Sequence, residues 1–477
     1  MAKNNTEKRY IVTFMDAETN QNTAAEILNV SANKMQDGVE LMATDAEIKP
    51  SDILHFNGLG STTITLSEAE VAKFQADGRV MAVEEDIEMH ILMDTASDWQ
   101  GESNFDYQEA SSNEAMAEVA SQYFQQGYQQ GQSDLYQNLM GYSSYHNNDV
   151  IRPTPIPLPF PRPPIMPTPI PRLPIGPIPF PRPPFIPYPK FYQPVPWNIT
   201  MVNAPSAWAR GYRGTGVKVA VLDTGIAAHS DLVISGGASF IPSVASYNDG
   251  HGHGTHCAGV IGARNNRIGI VGVAPACNVY AVKVLNDAGS GNTSWILAGM
   301  AWAKDNGMHI VSMSLGSNSC QSAAYTNAIA QLNAAGVTVV CASGNSGRPT
   351  SSYRCVGSPA NSPGALAVAA IDSNKIVADF SSFGTTCCPT GANPVNISAP
   401  GVSVNSTHLS GGYKQMSGTS MACPHVAGAA ALVKQRFPAF TPAQIRARLM
   451  ATSTDLGAPG NDPFYGAGLV DCNKATL

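Results

Sequence analysis

Between residues 153 and 189 the chain places 18 of its 35 prolines, and no other segment limits its folding so strongly. Proline has no N–H to donate and holds φ near about −65°, so a tract this dense joins neither a helix nor the interior of a sheet. It divides the chain into two parts, each of which must find its own packed partners. The tract reads as polyproline II, up to ~115 Å long if fully extended at ~3.1 Å per residue. It contains a near repeat, Leu158–Pro164 and Ile178–Pro184. Its prolines and arginines suit a groove-binding partner, while a plain spacer role asks only for stiffness. Residues 94–149 are rich in Gln, Asn, Ser and Tyr. They read as disordered, with a transient helix over Ala115–Phe124.

The two parts differ in charge. Residues 1–150 carry 7 basic and 25 acidic side chains, and residues 193–477 carry 16 basic and 10 acidic. An acidic front and a basic back are suited to dock on each other. Nothing in the pattern indicates a nucleic-acid partner. No apolar run reaches the ~18 residues of a membrane span, and Met1–Arg9 has no hydrophobic secretion core. All nine cysteines lie after residue 256, and no Cys-X-X-Cys pair is present, which argues against a metal cluster. Cys257 and Cys423 sit in apolar runs and read as free, buried thiols; others are open to disulfide pairing of unspecified connectivity.

The back half carries three short segments in fixed order: Val221–Gly225, containing Asp223; His253–His256; and Gly418–Ala422, containing Ser420. A serine hydroxyl is a weak nucleophile until a base takes its proton, and the base needs a partner to orient it. Asp223 ends the apolar run Val217–Leu222, which reads as a buried strand. Ser420 opens the small-residue apolar run Met421–Val433, which reads as a buried helix, so its N–H would aim at a developing oxyanion. Of the three crowded histidines, His253 is assigned as base because Gly254-Thr255 follows it. His256 and His425 read as core histidines and His251 as a loop residue. Asp, His and Ser in this order point to serine-protease chemistry.

With these segments in hand, residues 193 to 477 resemble the bacterial subtilisins, the high-alkaline branch especially. The resemblance runs through Val195-Pro196-Trp197, Gly216–Ile226, Gly236–Phe240, Gly272–Pro275 and Tyr280–Leu285. It continues through Ser314–Gly316, Ala342–Gly347 and Ala399–Val402. It implies an α/β fold, a mostly parallel sheet with helices on both faces, over residues 192–477. It implies that Asn345 supplies a side-chain donor to the oxyanion hole. Ser314, Leu315 and Gly316 on one side, and Gly289, Ser290 and Gly291 on the other, would sandwich an extended substrate by β-addition. Gly316 and Gly357 would leave the primary pocket open to large apolar or aromatic side chains. A structural Ca²⁺ site is implied at Gln193, Asp231 and Asn266, with backbone carbonyls of Arg264, Ile268 and Ile270. Export is implied too, although the N-terminus offers no signal for it, and so is a monomer acting on protein or peptide substrates.

Residues 8–92 read as a small α+β domain. Its expected elements are a strand at Arg9–Phe14, a helix near Ala24–Val30 and a hairpin over Ile53–Leu66. A capping box, Ser67 to Glu70, opens a further helix, and Val80–Val83 forms a last strand. This part resembles the subtilisin propeptide, most specifically at Val83–Asp86. The resemblance implies an inhibitor acting in cis, with Ile87–Leu92 lying along the cleft and Leu92 in the primary pocket. The insertion at 93–191 departs from the family pattern. It lets Gln193 reach the calcium site while Leu92 occupies the active site, so the precursor is expected to be a latent single chain cut after Leu92 and again near Phe191–Tyr192. Two other functions fit the sequence: a peptide ligase or macrocyclase on the same scaffold, and a latent binding protein working through its proline tract.

Overall fold

A computed structural model describes residues 7–44, 46–94, 193–348, 350–384, 387 and 394–477. The proline tract, Ala115–Phe124 and Phe191–Tyr192 lie outside the described residues. Among the described residues, no helix is long and apolar enough to cross a membrane.

The front domain is built on six strands: β1 (Lys8–Phe14), β2 (Met35–Asp37), β3 (Ile53–Phe56), β4 (Ser61–Leu66), β5 (Val80–Glu85) and β6 (Glu88–Ile91). The first five form one sheet in the order β2-β3-β4-β1-β5, antiparallel except for the β2–β3 pair. Local chemistry explains the boundaries. Helix Gln21–Leu28 is capped by the Asn20 side chain and ends at Asn29 in the left-handed region. Helix Glu68–Gln75 carries the full Ser67–Glu70 capping box. Val12, Phe14, Ile64 and Leu66 pack with Ala24, Leu28 and Phe74 in a core of the domain's own.

The strands that follow are β7 (Lys218–Asp223), β8 (Ile234–Ser239), β9 (Asn278–Lys283), β10 (Ser290–Asn292), β11 (Ile310–Met313), β12 (Leu315–Gly316), β13 (Thr338–Ala342), β14 (Ala365–Ile371), β15 (Ile397–Pro400), β16 (Val404–Thr407) and β17 (Tyr413–Met416). Seven of them make a wholly parallel sheet in the order β15-β14-β13-β11-β7-β9-β8. Alternation along each strand shows that both faces are covered. Val219, Val221, Val340 and Val368 pack with helices His253–Gly262 and Thr419–Arg436. Ala220, Leu222, Val339 and Ala367 pack with helices Thr293–Asp305 and Ala323–Ala334. The expected α/β architecture, a parallel sheet with helices on both faces, is therefore what the chain adopts.

The front domain is stapled onto the second of these layers. Ile11, Leu54, Phe56, Leu59 and Met89 belong to the same apolar cluster as Met300, Ala324 and Ile329. At the edge of this contact Glu84 accepts from the N–H groups of Ala323 and Ala324 at 3.1 and 2.8 Å. Asp86 accepts from the N–H and hydroxyl of Ser294 at 2.9 and 2.7 Å. Both carboxylates sit at helix N-termini, where unpaired N–H groups and the helix dipole favour negative charge.

Candidate active site

In the strand order, β7 is flanked by β9 on one side and β11 on the other, so the chain reverses direction across the sheet there. Ligands of open α/β sheets bind at such a switch point, beyond the carboxyl ends of the strands. The candidate residues collect at these ends: Asp223 ends β7, Ser314 follows β11, and Asn345 follows β13.

Asp223 and His253 are both fully buried, and His253 Nδ1 donates to Asp223 Oδ1 at 2.8 Å. That bond leaves Nε2 as the basic nitrogen, and Nε2 has no hydrogen-bond partner among the described residues. The loop before His253 is held by Asp249, whose carboxylate accepts from Thr224 Oγ1, the N–H groups of His251, Gly252 and Thr255, and Thr255 Oγ1. Asp249 does not stand out in the sequence. Its five hydrogen bonds come from four residues, Thr224, His251, Gly252 and Thr255, and so tie the two motifs together, a pattern visible only after folding.

Ser420 lies in the first turn of helix Thr419–Arg436, which starts from Gly418 at φ 150°. Pro424, inside this helix, has no N–H for the Ser420 carbonyl. That carbonyl instead accepts from Ser314 Oγ at 2.9 Å and faces Cys257 Sγ at 3.5 Å. The Ser420 hydroxyl donates to Ser314 O at 2.9 Å and accepts from Leu92 N at 3.1 Å. It is therefore turned away from His253 Nε2 while the tail is bound.

Asn345 Oδ1 accepts from the N–H and hydroxyl of Thr419, at 2.9 and 2.8 Å. The acceptor end is thereby committed, and Nδ2 is left buried with no partner among the described residues. Next to it, Ser420 N donates to Leu92 O at 3.2 Å. A Cβ on Gly418 would meet Leu92 O at 2.4 Å and Asn345 Nδ2 at 3.1 Å, so this glycine lets the carbonyl and both donors crowd together.

The tail itself is a strand. β6 lies between β10 and β12, antiparallel to both, with Ser290 opposite His90, Gly291 opposite Met89 and Leu315 opposite Ile91. Ile91 N donates to Gly289 O at 3.0 Å and Leu92 N lies 3.3 Å from Ser314 O. Leu92 Cδ1 would be 3.2 Å from a Cβ on Gly316, so the missing side chain at 316 makes room for it. A Cβ on Gly357 would strike Ser317 O at 2.4 Å, so its smallness also permits the Ser317–Ser358 bridge, whose Ser358 O borders Gly316 next to Leu92. His251 lies in the loop, as expected, with its ring centroid 6.3 Å from that of His253 and its imidazole beside Gly289.

His256 and His425 are buried, as expected. His256 Nε2 lies 3.0 Å from the carbonyls of Val404 and Lys414, and burial pushes its pKa down to about 3. His425 is bonded to Met421 O and Asn198 Nδ2, and burial lowers it to about 4. Cys257, Cys277, Cys341, Cys423 and Cys472 are free and buried. Burial pushes the Cys423 thiol up to about 12, so it stays neutral. Cys355 is bonded to Cys387, and Cys320 is also disulfide-bonded.

The residues expected to hold calcium converge. Gln193 Nε2 donates to the carbonyls of Arg264 at 3.0 Å, Ile268 at 2.6 Å and Ile270. Gln193 Oε1 accepts from Asn266 N at 2.8 Å, and Asp231 Oδ2 accepts from Ile270 N at 2.9 Å. Asp231 Oδ1 is buried with no partner among the described residues. Three carbonyls aimed at one point beside an unpartnered carboxylate oxygen fit a hard cation, with the Gln193 amide turned to offer its oxygen.

Comparison with known proteins agrees with this geometry. Residues 214–468 match the model of the subtilase family. Over 284 residues, 60% of this chain, the sequence is 51% identical to subtilisin Savinase of Lederbergia lenta, covering 99% of that protein. The same identity and span relate it to a thermostable alkaline protease of Halalkalibacterium halodurans, covering 74% of it. They also relate it to an alkaline protease of Shouchella clausii, covering 70%. The chain belongs to the subtilase family and is a subtilisin-like serine protease.

Proposed function

We propose that the chain is a self-inhibited, calcium-stabilised zymogen of a serine endopeptidase, in which residues 8–92 are the inhibitor and the Leu92–Met93 bond is the first one cut. The observation that carries this is the placement of the Leu92 carbonyl oxygen on the Ser420 N–H and beside the free Asn345 Nδ2. The tail runs through the cleft as a substrate would, pairing with both walls.

In the reaction, the Ser420 hydroxyl turns from Ser314 O toward His253 Nε2, which takes its proton as Oγ attacks the Leu92 carbonyl carbon. Asp223 holds the imidazole and stabilises its positive charge. The oxyanion draws on the Ser420 N–H and Asn345 Nδ2. The imidazolium then gives its proton to the leaving amine of Met93, and water releases the acyl group by the same steps. Main-chain pairing with Gly289–Gly291 and Ser314–Gly316 reads backbone, so specificity is broad, with a preference for large apolar or aromatic residues before the cut. When bound, Ca²⁺ supplies charge that offsets Asp231 and ties Gln193 to the loop Arg264–Ile270.

Intact mass and N-terminal sequencing after incubation with calcium test the reading, beside a Ser420→Ala control. Shortening in the wild type alone, with a new terminus at Met93 and another near residue 192, is expected. A wild type cut elsewhere first, or a control cut equally, would sink the proposal.

A further inference from the structure

The bound tail continues past Leu92, and Asp94 N donates to Ser417 O at 2.8 Å. The Asp94 carboxylate is then gripped end-on by Arg348: Nη1 to Oδ1 at 2.8 Å and Nη2 to Oδ2 at 3.0 Å. The Asp94 side chain is only 7% exposed. Arg348 is itself held from the side by Asp379, Nε to Oδ2 at 2.8 Å and Nη2 to Oδ1 at 3.1 Å. Its guanidinium carbon lies 5.9 Å from the centroid of the Phe380 ring. The loop that carries it is pinned as well, with Gly347 N donating to Phe380 O at 2.8 Å and Ser346 N to Ser382 Oγ at 3.1 Å. A Cβ at Gly347 would collide with Ser381 O at 2.2 Å, so the loop passes close to this segment because 347 is glycine.

Arginine offers five N–H donors in a rigid fork. Asp379 uses one edge, which fixes the plane of the guanidinium and presents the other edge toward the cleft. A carboxylate arriving there finds two parallel donors already aimed. We infer that Arg348, positioned by Asp379, is a receptor for an acidic side chain at the second residue after the scissile bond, and that the protease favours Asp or Glu there. The inference rests on the reading of Leu92–Met93 as the bound scissile bond. It adds a side-chain preference on the leaving-group side to a cleft that otherwise reads main chain and the residue before the cut. A neutral amide in place of the carboxylate loses one charge-assisted bond and puts an NH₂ against a donor, and a lysine meets Arg348 with like charge.

The test uses the processed protease and three quenched fluorescent peptides with Leu before the cut and Met after it. They differ only at the next position: Asp, Asn or Lys. In the wild type, kcat/KM for Asp over Asn should be about tenfold, carried by KM, with Lys lowest. Raising salt from 0.05 to 1 M should shrink the ratio, since the pair is partly exposed; these concentrations span a Debye length of roughly 14 to 3 Å. In Arg348→Ala the Asp-to-Asn ratio should fall to about one, and Arg348→Glu should favour Lys. Asp379→Asn should raise KM for the Asp peptide more than for the Asn peptide, the mark of a positioning residue. The ratio is taken within each variant, so a general loss of activity does not enter it. A wild-type ratio near one, or a ratio that survives Arg348→Ala, would overturn the inference. Should Arg348→Ala not fold, a wild-type ratio insensitive to salt overturns it equally. Free peptides report on the receptor even if the precursor proves to be cut elsewhere, so this result and the zymogen reading fail separately.

Discussion

Asn345 shows how one residue can be prepared by another. Thr419 occupies its carbonyl end twice, so a flipped amide would set its NH₂ against the Thr419 N–H, and Nδ2 is left free beside the Leu92 oxygen. Asn345→Ala should lower kcat by ~10²–10³ with little change in KM, measured on a peptide with Leu before the cut. That magnitude belongs to the equivalent donor in another subtilisin rather than to this geometry. The buried histidines give a second expectation. His256 and His425 have folded-state pKa values near 3 and 4 against an ordinary 6.5, so the unfolded chain binds protons that the folded chain refuses. Their contribution to stability is present above about pH 6.5 and is lost as pH falls toward 4 and 3. Urea midpoints of the Ser420→Ala precursor should therefore drop between pH 6.5 and 4, and a flat profile would contradict it. Residues with roles fixed by their immediate neighbours in sequence, such as Asp223, His253 and Ser420, were legible beforehand. Asp249 and Arg348 were not, because their partners are dispersed along the chain. Gly357 was only partly legible, because its missing Cβ also admits the Ser317 backbone, a contact that only the fold reveals.

At the scale of elements, two acidic residues on one strand end each serve a helix in the other domain. Glu84 caps helix Ala323–Ala334 and Asp86 caps helix Thr293–Asp305. Helix caps of this kind are worth about 1 kcal/mol each, and more where the acceptor is charged. Replacing both by alanine should weaken inhibition of the processed enzyme by added 8–92 peptide by roughly 10- to 100-fold, read as Ki. An unchanged Ki would mean that the apolar contact alone decides affinity. The capping box at Ser67–Glu70 and the hairpin at Ile53–Leu66 could be placed from sequence because their signals are local. The short strand Met35–Asp37 and helix Gly38–Met42 were overlooked. Neither is long enough to show a period, and Asp37 caps its helix with nothing apolar and regular behind it to draw notice. That helix is held by tertiary contact, Met42 being in the cluster shared with the peptidase domain.

For the molecule as a whole, the described chain satisfies two distant demands at once: Leu92 at Ser420, and Gln193 at the loop Arg264–Ile270. Calcium should therefore bind the uncleaved Ser420→Ala precursor as well as the processed enzyme. Chelation should lower the Tm of both, since a ligand at about 100 times its Kd adds about 2.7 kcal/mol. A precursor whose Tm ignores chelation would contradict the site. Charge asymmetry between the front and back of the chain was visible in the sequence, and so was the need for a docking partner, but the face used was not. The alternation of Ile11 with Val12, one to the shared cluster and one to the domain's own, becomes meaningful only when both layers are in place. That shared layer has a consequence for timing. On the zymogen proposal, cutting the Leu92–Met93 bond would leave the apolar contact intact, so hydrolysis and liberation would be separate events. The product would then stay seated in its own exit, and the pool as a whole should remain silent until a few molecules shed their cover. Those few would then strip the rest, so activity would rise after a lag that shortens with concentration, as an avalanche rather than a relaxation.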